Sequence, residues 1–174
     1  MIVVLMGVSG SGKTTIGTLL AKRMHSVFAD ADSYHSTANK AKMAAGHPLT
    51  DEDREPWLET LNALLLEWFR AGKGGVLACS ALKDAYRRTL AQNLPEGSVV
   101  FVLLNASREL IAERLAVRKN HYMNPGLLDS QFATLEPPAD ALTIINDRPP
   151  QEVVDEIMNH LKEIRGRNNG IEAV

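Results

Sequence analysis

A complete phosphate-loop pattern near the start of the chain is the strongest constraint on its fold. Residues 7–14 read Gly-Val-Ser-Gly-Ser-Gly-Lys-Thr and match G-x-x-x-x-G-K-[ST] at every fixed position. The apolar run 2–6 precedes the pattern and a stretch with helical periodicity follows it, which is the strand, loop and helix order that the pattern requires. A plain Gly/Ser turn is the alternative, but this context predicts a nucleotide phosphate site.

The chemistry of this loop follows from its backbone. Glycine lets successive N–H groups turn toward phosphate oxygens, and the helix that begins at Lys13 directs the positive end of its dipole to the same point. Lys13 is expected to contact the β- and γ-phosphates and to act in catalysis, and the Thr14 hydroxyl is expected to bind Mg²⁺. The predicted nucleotide-binding residues are Gly7, Val8, Ser9, Gly10, Ser11, Gly12, Lys13, Thr14 and Thr15.

Composition limits the partners and the compartment. The chain has 174 residues, 45% of them hydrophobic, which fits one domain with a sizeable core. Its 19 basic and 21 acidic side chains give a net charge of -2, so we expect a small-molecule partner and neither a nucleic acid nor a membrane. No apolar run approaches the roughly 20 residues of a membrane-spanning helix. The single cysteine, Cys79, excludes an internal disulfide and fits a reducing cytoplasm.

Short apolar runs alternate along the chain with longer stretches of helical periodicity. The predicted strands are residues 2–6, 27–29, 76–79, 99–104 and 142–145, and the predicted helices are residues 14–24, 57–69, 108–118 and 152–164. Such alternation is typical of an α/β fold in which helices cover both faces of a parallel sheet. The last residues, 166–174, are polar and are expected to form a frayed tail.

Two polar segments interrupt this alternation, at residues 32–54 and 119–138. Both follow predicted strands, and ligands bind at the carboxyl ends of the strands in open α/β sheets. These two segments are therefore expected to determine specificity. A turn predicted at residues 124–126, which read Asn-Pro-Gly, supports a mobile lid at about residues 119–135.

Two arginines precede the second polar segment. Arg114 and Arg118 are four residues apart and share a face of the predicted helix. In a lid, Arg114 could stack on adenine while Arg118 neutralises the transferring phosphoryl group in catalysis. The alternative is a solvated pair beside Glu109 and Glu113.

Two acids follow the second predicted strand. Asp30 and Asp32 would both project near the end of that strand. One could hold Mg²⁺ while the other orients or deprotonates an attacking hydroxyl group. The alternative is that one of them only caps the segment that follows. Two acids at this point of a nucleotide-binding chain favour catalytic roles.

Other polar side chains are candidates for binding the second substrate. Ser80 ends the third predicted strand, and Lys83 and Arg87 follow it, so these cations could hold an anion or form an ordinary basic helix face. The five histidines have no spacing typical of a metal site. His35 and His121 lie in the polar segments and could donate to substrate, although a structural histidine is as common.

Three blocks of the sequence resemble the gluconokinases of the P-loop type. The first block contains Asp30-x-Asp32-x-x-His35, Asn39-x-x-Lys42-Met43, Gly46-x-Pro48-Leu49-x-Asp51-x-Asp53-Arg54 and Pro56-Trp57-Leu58. The others are Cys79-Ser80-Ala81-Leu82-Lys83-x-x-Tyr86-Arg87 and His121-Tyr122 with Leu127-Leu128-x-Ser130-Gln131-Phe132-x-x-Leu135-Glu136. With the phosphate loop, these blocks cover most of residues 3–138.

The resemblance implies a three-layer P-loop NTPase fold, similar to shikimate and adenylate kinases, with a five-stranded parallel sheet and a lid. It implies ATP-dependent phosphorylation of D-gluconate at its 6-hydroxyl group, and it suggests a homodimer. Carried over by position, Asp30 faces the metal and Asp32 the substrate hydroxyl. The residues expected to bind gluconate are Asp32, His35, Arg54, Ser80, Lys83, Arg87, His121 and Gln131.

Other functions are weaker on this sequence. A shikimate-like or nucleoside monophosphate kinase would share the scaffold, but the first block argues against it. A GTP-dependent switch needs a guanine-reading N-K-x-D segment after a strand, whereas residues 105–108 read Asn-Ala-Ser-Arg. A non-catalytic ATP-binding module would leave the paired acids and the lid cations without a task.

Overall fold

A five-stranded parallel sheet carries the proposed site at its carboxyl edge. The structure, a computed structural model, describes residues 1–117, 125–138 and 141–171. The sheet order is β2-β3-β1-β4-β5, and every pair of neighbours is parallel. The strands are β1 (Ile2–Met6), β2 (Val27–Asp30), β3 (Gly75–Ala78), β4 (Val99–Asn105) and β5 (Leu142–Ile145). Each lies where an apolar run predicts a strand, to within one residue at either end.

Helices cover both faces of this sheet. They are α1 (Lys13–Arg23), α2 (Thr37–Ala44), α3 (Asp51–Arg70), α4 (Asp84–Ala91), α5 (Arg108–Val117), α6 (Pro125–Thr134) and α7 (Pro150–Ile171), and a 3₁₀ turn spans Ala31–Tyr34. One apolar core joins the sheet to α3 and α4 through Leu61, Leu65 and Leu90. A second core joins the opposite face to α1 and α7 through Leu20 and Ile157. The predicted three-layer α/β fold is confirmed.

Helix α3 begins six residues before the predicted start at residue 57. The Thr50 hydroxyl accepts a hydrogen bond from the Asp53 amide, and the Asp53 carboxylate accepts one from the Thr50 amide, so a capping box satisfies the first turn. Lys42 of α2 also donates to Asp53 and, as the main cause, lowers the pKa of its carboxyl group to about 2. The apolar stripe of α3 is buried in the core.

The structure differs from the sequence expectation at a predicted turn and at the C-terminal tail. The turn predicted at residues 124–126 is replaced in part by α6, which begins at Pro125 because proline is well tolerated in the first turn of a helix. The tail predicted to fray at residues 166–174 is helical as far as Ile171, because each residue added to an existing helix gains a backbone hydrogen bond without a new nucleation step. Within the described ranges, no helix combines the length and apolar character needed to cross a bilayer.

Candidate active site

The phosphate loop adopts a backbone that only glycine accommodates at several points. Gly7, Gly10 and Gly12 have φ values of 136°, 80° and 96°, in the left-handed region. A Cβ atom at Gly12 would lie 2.4 Å from Asn146 Nδ2, and one at Gly7 would lie 2.7 Å from the Leu104 carbonyl oxygen. The loop therefore needs glycine for close approach to neighbouring strands as well as for its turn, and this shape fits a phosphate chain.

Lys13 and Thr14 open helix α1 with their polar ends at the loop. The Lys13 ammonium group donates to the carbonyl oxygens of Gly7 and Val8, each at 3.0 Å, so its charge lies at the loop. The Thr14 hydroxyl donates to Asp30 Oδ2 at 2.8 Å. The two predicted metal ligands are thus in direct contact, and a hydroxyl beside a carboxylate is a donor set that suits Mg²⁺.

The paired acids have different surroundings. Asp30 Oδ1 accepts from the Asp32 amide at 3.1 Å, so Asp30 caps the 3₁₀ turn and also contacts Thr14. Capping of the turn by Asp30 is therefore compatible with its predicted role as a metal ligand. The Asp32 carboxylate is 87% exposed. It lines an open cavity of about 110 Å³, which is shared by Ser9, Gly10, Gly12, Lys13, Thr14, Asp30, Asp32, Ala78, Ser80 and Leu115.

His35 lies buried beside this cavity. Its ring stacks on Trp57 with the centroids 4.2 Å apart and an angle of 15° between the planes. Burial is the main cause that lowers the pKa of His35, so the imidazole is neutral at pH 7. Its Nε2 atom lies 4.0 Å from Asp32 Oδ1. Its Nδ1 atom is buried and finds no hydrogen-bond partner among the residues that the structure describes.

A cluster of charges joins the start of α3 to the start of α4. Lys83 donates to both Asp51 oxygens, at 2.9 and 2.6 Å, and the Tyr86 hydroxyl also donates to Asp51. Arg54 donates to the Leu49 carbonyl oxygen at 2.7 Å and to the Tyr86 hydroxyl at 3.3 Å. The Lys83 hydrogen bond is the main cause that lowers the pKa of Asp51, and it raises the pKa of Lys83. The predicted substrate cations Arg54 and Lys83 are therefore neighbours.

Arg87 lies outside this cluster. It is 6% exposed and donates to the carbonyl oxygens of Ala81 and Leu82, at 3.1 and 3.3 Å. Ala81 has a φ of 42°, a left-handed conformation that is unfavourable for alanine. The contacts of Arg87 thus hold the β3–α4 loop that carries Lys83, and its direct contact with substrate stays a prediction.

A larger cavity of about 450 Å³ adjoins the phosphate loop. It is lined by Gly10, Gly12, Thr15, Ile16, Leu110, Glu113, Arg114, Val117, Asn146, Arg148 and Pro150. Arg114 donates to the Asn146 carbonyl oxygen at 2.8 Å, which places the predicted nucleotide-binding arginine at this cavity. Arg118 and His121, and about the first third of the predicted lid, residues 119–124, lie outside the described residues.

Sequence reasoning missed Asn146 and Arg148. Asn146 is 3% exposed and donates from Nδ2 to the Ser11 carbonyl oxygen at 2.7 Å. A signal was present, because both residues follow β5 and so lie at the carboxyl edge where ligands bind. The sequence also gave no sign that Asp51 and Tyr86 are the partners of the predicted substrate cations, although both residues belong to the gluconokinase-like blocks.

Replacing Asn146 with alanine is expected to weaken nucleotide binding by about tenfold and to lower stability by about 1–3 kcal/mol. The reason is that the Ser11 carbonyl oxygen loses a buried donor and the loop loses a fixed neighbour. Isothermal titration with a non-hydrolysable ATP analogue and denaturant unfolding measure the two effects. Asp147→Ala is the matched control, since Asp147 follows it directly but is exposed. Unchanged nucleotide affinity in Asn146→Ala would contradict this role.

The fold and the site together define a P-loop kinase that acts on small molecules. A family model described as shikimate kinase matches residues 9–162. The gluconokinase of Gluconobacter oxydans is 44% identical over 91% of this chain and 90% of its own length, and the thermoresistant gluconokinase of Escherichia coli is 39% identical over 93% and 94%. The crystal structure of a gluconokinase from Sinorhizobium meliloti has a TM-score of 0.85 and 35% identity, covering 99% and 97% of the two chains. The chain belongs to the shikimate kinase family, among its gluconokinases, which confirms the resemblance.

Proposed function

We propose that the protein transfers the γ-phosphoryl group of ATP to the 6-hydroxyl group of D-gluconate, giving 6-phospho-D-gluconate and ADP. The observation that carries this proposal is that the exposed Asp32 carboxylate shares one cavity with Lys13 and Thr14. This arrangement supports Asp32 as the base, because its carboxylate lies close to the lysine proposed to hold the phosphates. The gluconokinase relatives support gluconate as the acceptor.

The nucleotide occupies two adjoining parts of the site. The phosphates lie on the amides of the phosphate loop at the start of α1, and Lys13 stabilises the negative charge that develops during transfer. The cavity beside Arg114 and Asn146 takes the adenosine, with Arg114 available to stack on the base. Thr14 and Asp30 would hold Mg²⁺, which neutralises charge on the β- and γ-phosphates. Arg118 would add its charge to the transferring group.

Asp32 prepares the acceptor. It accepts a hydrogen bond from the 6-hydroxyl group and takes its proton as the oxygen–phosphorus bond forms, while the bond from the γ-phosphorus to the bridging oxygen breaks and ADP leaves. The neutral His35 imidazole, 4.0 Å from Asp32, is placed to donate a hydrogen bond toward gluconate. Ser80 lines the same cavity and supplies a further hydroxyl group.

The charge cluster on α3 and α4 binds the other end of gluconate. A carboxylate with a row of hydroxyl groups requires cations and hydrogen-bonding groups, and Arg54 and Lys83 supply the cations. Asp51 holds Lys83 at 2.6 Å and so keeps the ammonium group oriented before the substrate arrives. His121 belongs to the proposed substrate-binding set as well.

Replacing Lys83 with alanine is expected to raise the KM for gluconate by about tenfold to a hundredfold while the KM for ATP changes less than about threefold. The reason is that a charge-assisted hydrogen bond to a carboxylate contributes about 1.5–3 kcal/mol. Steady-state kinetics with each substrate varied in turn measures the difference. Arg88→Ala is the matched control, because Arg88 lies in α4, directly after the loop that carries Lys83, and its side chain is 76% exposed. A larger rise in the KM for ATP would assign Lys83 to the nucleotide.

The substrate itself is tested by measuring ADP release with gluconate, other aldonates, shikimate and nucleoside monophosphates. Turnover with gluconate at least about tenfold faster than with any other acceptor is expected, since a site built for a chain of hydroxyl groups discriminates strongly against acceptors that leave its polar groups unpaired. Preference for shikimate or a nucleoside monophosphate would replace the proposal with the alternative kinase on this scaffold. Replacing ATP with GTP tests the nucleotide in the same assay.

The proposal includes a cytoplasmic homodimer. Cys79 is buried, and burial raises the pKa of its thiol to about 12, so the thiol is unreactive and compatible with a reducing compartment. The apolar stripe of α3 is buried in the core and so is not available for a dimer interface. The proposal of a dimer therefore rests on the resemblance to gluconokinases alone. Sedimentation equilibrium of the purified chain tests it.

A further inference from the structure

Helix α6 and the residues directly after it contact both halves of the proposed site. Leu128 of α6 is buried in one apolar cluster with Val8 of the phosphate loop and Leu82 of the β3–α4 loop. Two further side chains of this segment pack on the cluster, Phe132 and Leu135. The segment is therefore a common support for two loops whose residues Val8 and Leu82 are 74 positions apart in the sequence.

Gln131 makes the polar contact with the phosphate loop. Its Oε1 atom accepts a hydrogen bond from the Ser9 amide at 2.7 Å, and its Nε2 atom lies 3.5 Å from the Ser9 hydroxyl. Sequence reasoning assigned Gln131 to gluconate, but in the structure its amide group is engaged by the loop that holds the phosphates. A movement of the loop at Ser9 therefore either moves the Gln131 side chain or breaks its hydrogen bonds.

Glu136 makes the polar contact with the other loop. Its amide donates to the Leu82 carbonyl oxygen at 2.9 Å, and its Oε2 atom accepts from the Asp84 amide at 2.6 Å. These two bonds lie on either side of Lys83, the cation proposed to bind the gluconate carboxylate. The carboxylate of Glu136 also lies at the first turn of α4, where negative charge is favourable. Glu136 thus fixes the segment from which Lys83 projects.

We propose that Gln131 and Glu136 form a brace that couples the phosphate loop to the loop that carries Lys83. They are positioning residues, since they act on the substrates through Ser9 and Lys83. Nucleotide binding at the phosphate loop restrains Ser9 and, through it, Gln131. The Leu135 amide donates to the Gln131 carbonyl oxygen, which links Gln131 to the end of the segment. Glu136, the next residue, then restrains residues 82–84. The part of this inference that concerns gluconate rests on the function proposed above.

Hydrogen exchange tests the brace without using gluconate. A non-hydrolysable ATP analogue is expected to slow exchange of the amides of residues 80–88 by about fivefold or more in the unaltered protein. Fivefold is about the smallest effect that one binding site usually has on another. Gln131→Met keeps the length of the side chain but removes the acceptor for Ser9, so the slowing is expected to disappear although the analogue still binds. Ser130→Ala is the control, because Ser130 is exposed on the same helix.

Steady-state kinetics supplies a second readout that a purely structural role would not move. At saturating ATP, Glu136→Ala is expected to raise the KM for gluconate by about fivefold or more, and Glu136→Gln is expected to restore it because it keeps an acceptor for the Asp84 amide. Thermal unfolding of each variant shows that the fold persists.

The outcomes separate this inference from the proposed function. The brace is rejected if the analogue leaves exchange of residues 80–88 unchanged in the unaltered protein, or if Gln131→Met retains the slowing. It is also rejected if Glu136→Gln and Glu136→Ala raise the KM for gluconate to the same extent. Absence of gluconate-dependent ADP release would remove the proposed substrate, while the exchange result would still decide the brace.

Discussion

Replacing Lys13 with alanine is expected to lower kcat by about a hundredfold to a thousandfold or more, to the limit of detection in a coupled ADP assay. The reason is that the Lys13 ammonium group is proposed to stabilise charge on the transferring phosphoryl group, and the loss of one such preorganised donor costs about 2.7–4 kcal/mol in the transition state. The affinity for gluconate should change little, because Lys13 lies at the phosphate loop.

The structure suggests how to separate this effect from a loss of folding. Lys13 donates to the Gly7 and Val8 carbonyl oxygens, so the variant also loses contacts that shape the loop. Thermal unfolding should show a cooperative transition with a slightly lower Tm, as expected for a variant that remains folded. Lys22→Ala is the matched control, since Lys22 is exposed in the last turn of the same helix. A near-normal kcat in Lys13→Ala would remove Lys13 from catalysis.

The central strands were predictable because parallel packing buries both of their faces. Every residue of β1 and β3 is buried, so an unbroken apolar run was the correct signal. Helix α3 was predicted too short for the converse reason. Its first turn, Asp51 to Asp53, is polar and is held by the Thr50 cap, whereas the apolar stripe begins only at Trp57. Periodicity detects the part of a helix that packs and misses the part that is capped.

Short helices escaped prediction for a related reason. Helices α2 and α4 are eight residues long, and α2 buries only Asn39, which donates to the Asp53 carbonyl oxygen at 2.7 Å. Helix α2 is stabilised by contacts with distant residues, so no apolar period marks it, and α4 is marked by only two buried apolar residues, Tyr86 and Leu90. The polar segment 32–54 was therefore correctly located but not resolved into its elements.

The site was predictable where topology alone brings residues together. Parallel strands end at one edge of the sheet, which is why Asp30, Asp32 and Ser80 could be expected near Lys13, and one cavity contains all four. Contacts between distant loops were not predictable. Asn146 bonds to Ser11 across 135 positions and Gln131 to Ser9 across 122, and no local pattern records which remote amide a side chain will meet.

The contacts of the two acids support the proposed order of their roles. Asp30 is bonded through one oxygen to the Thr14 hydroxyl and through the other to the Asp32 amide, which is the place of a metal ligand that also holds a turn. Asp32 presents an exposed carboxylate to the cavity, which is the place of a base. The carry-over of Asp30 to the metal and Asp32 to the substrate hydroxyl therefore has independent support from geometry.

Replacing Asp32 with asparagine is expected to lower kcat by about a hundredfold to ten-thousandfold, the range that general-base catalysis contributes. The dissociation constant for ATP should change less than about threefold, because Asp32 is proposed to act on the acceptor hydroxyl group in the transition state and not to bind the nucleotide. The side chain is 87% exposed, so asparagine fits its place without a cost to folding. Single-turnover phosphorylation of gluconate and isothermal titration with an ATP analogue measure the two quantities.

Two comparisons make the result for Asp32 decisive. Ser33→Ala changes an exposed neighbour in the same 3₁₀ turn and should leave kcat unaltered. Asp30→Asn should instead raise the Mg²⁺ concentration needed for half-maximal activity, because it weakens the carboxylate beside Thr14. If Asp32→Asn reduced kcat and ATP affinity equally, Asp32 would be holding the phosphate loop in shape. If Asp30→Asn abolished turnover at saturating Mg²⁺ while Asp32→Asn did not, the two roles would be exchanged.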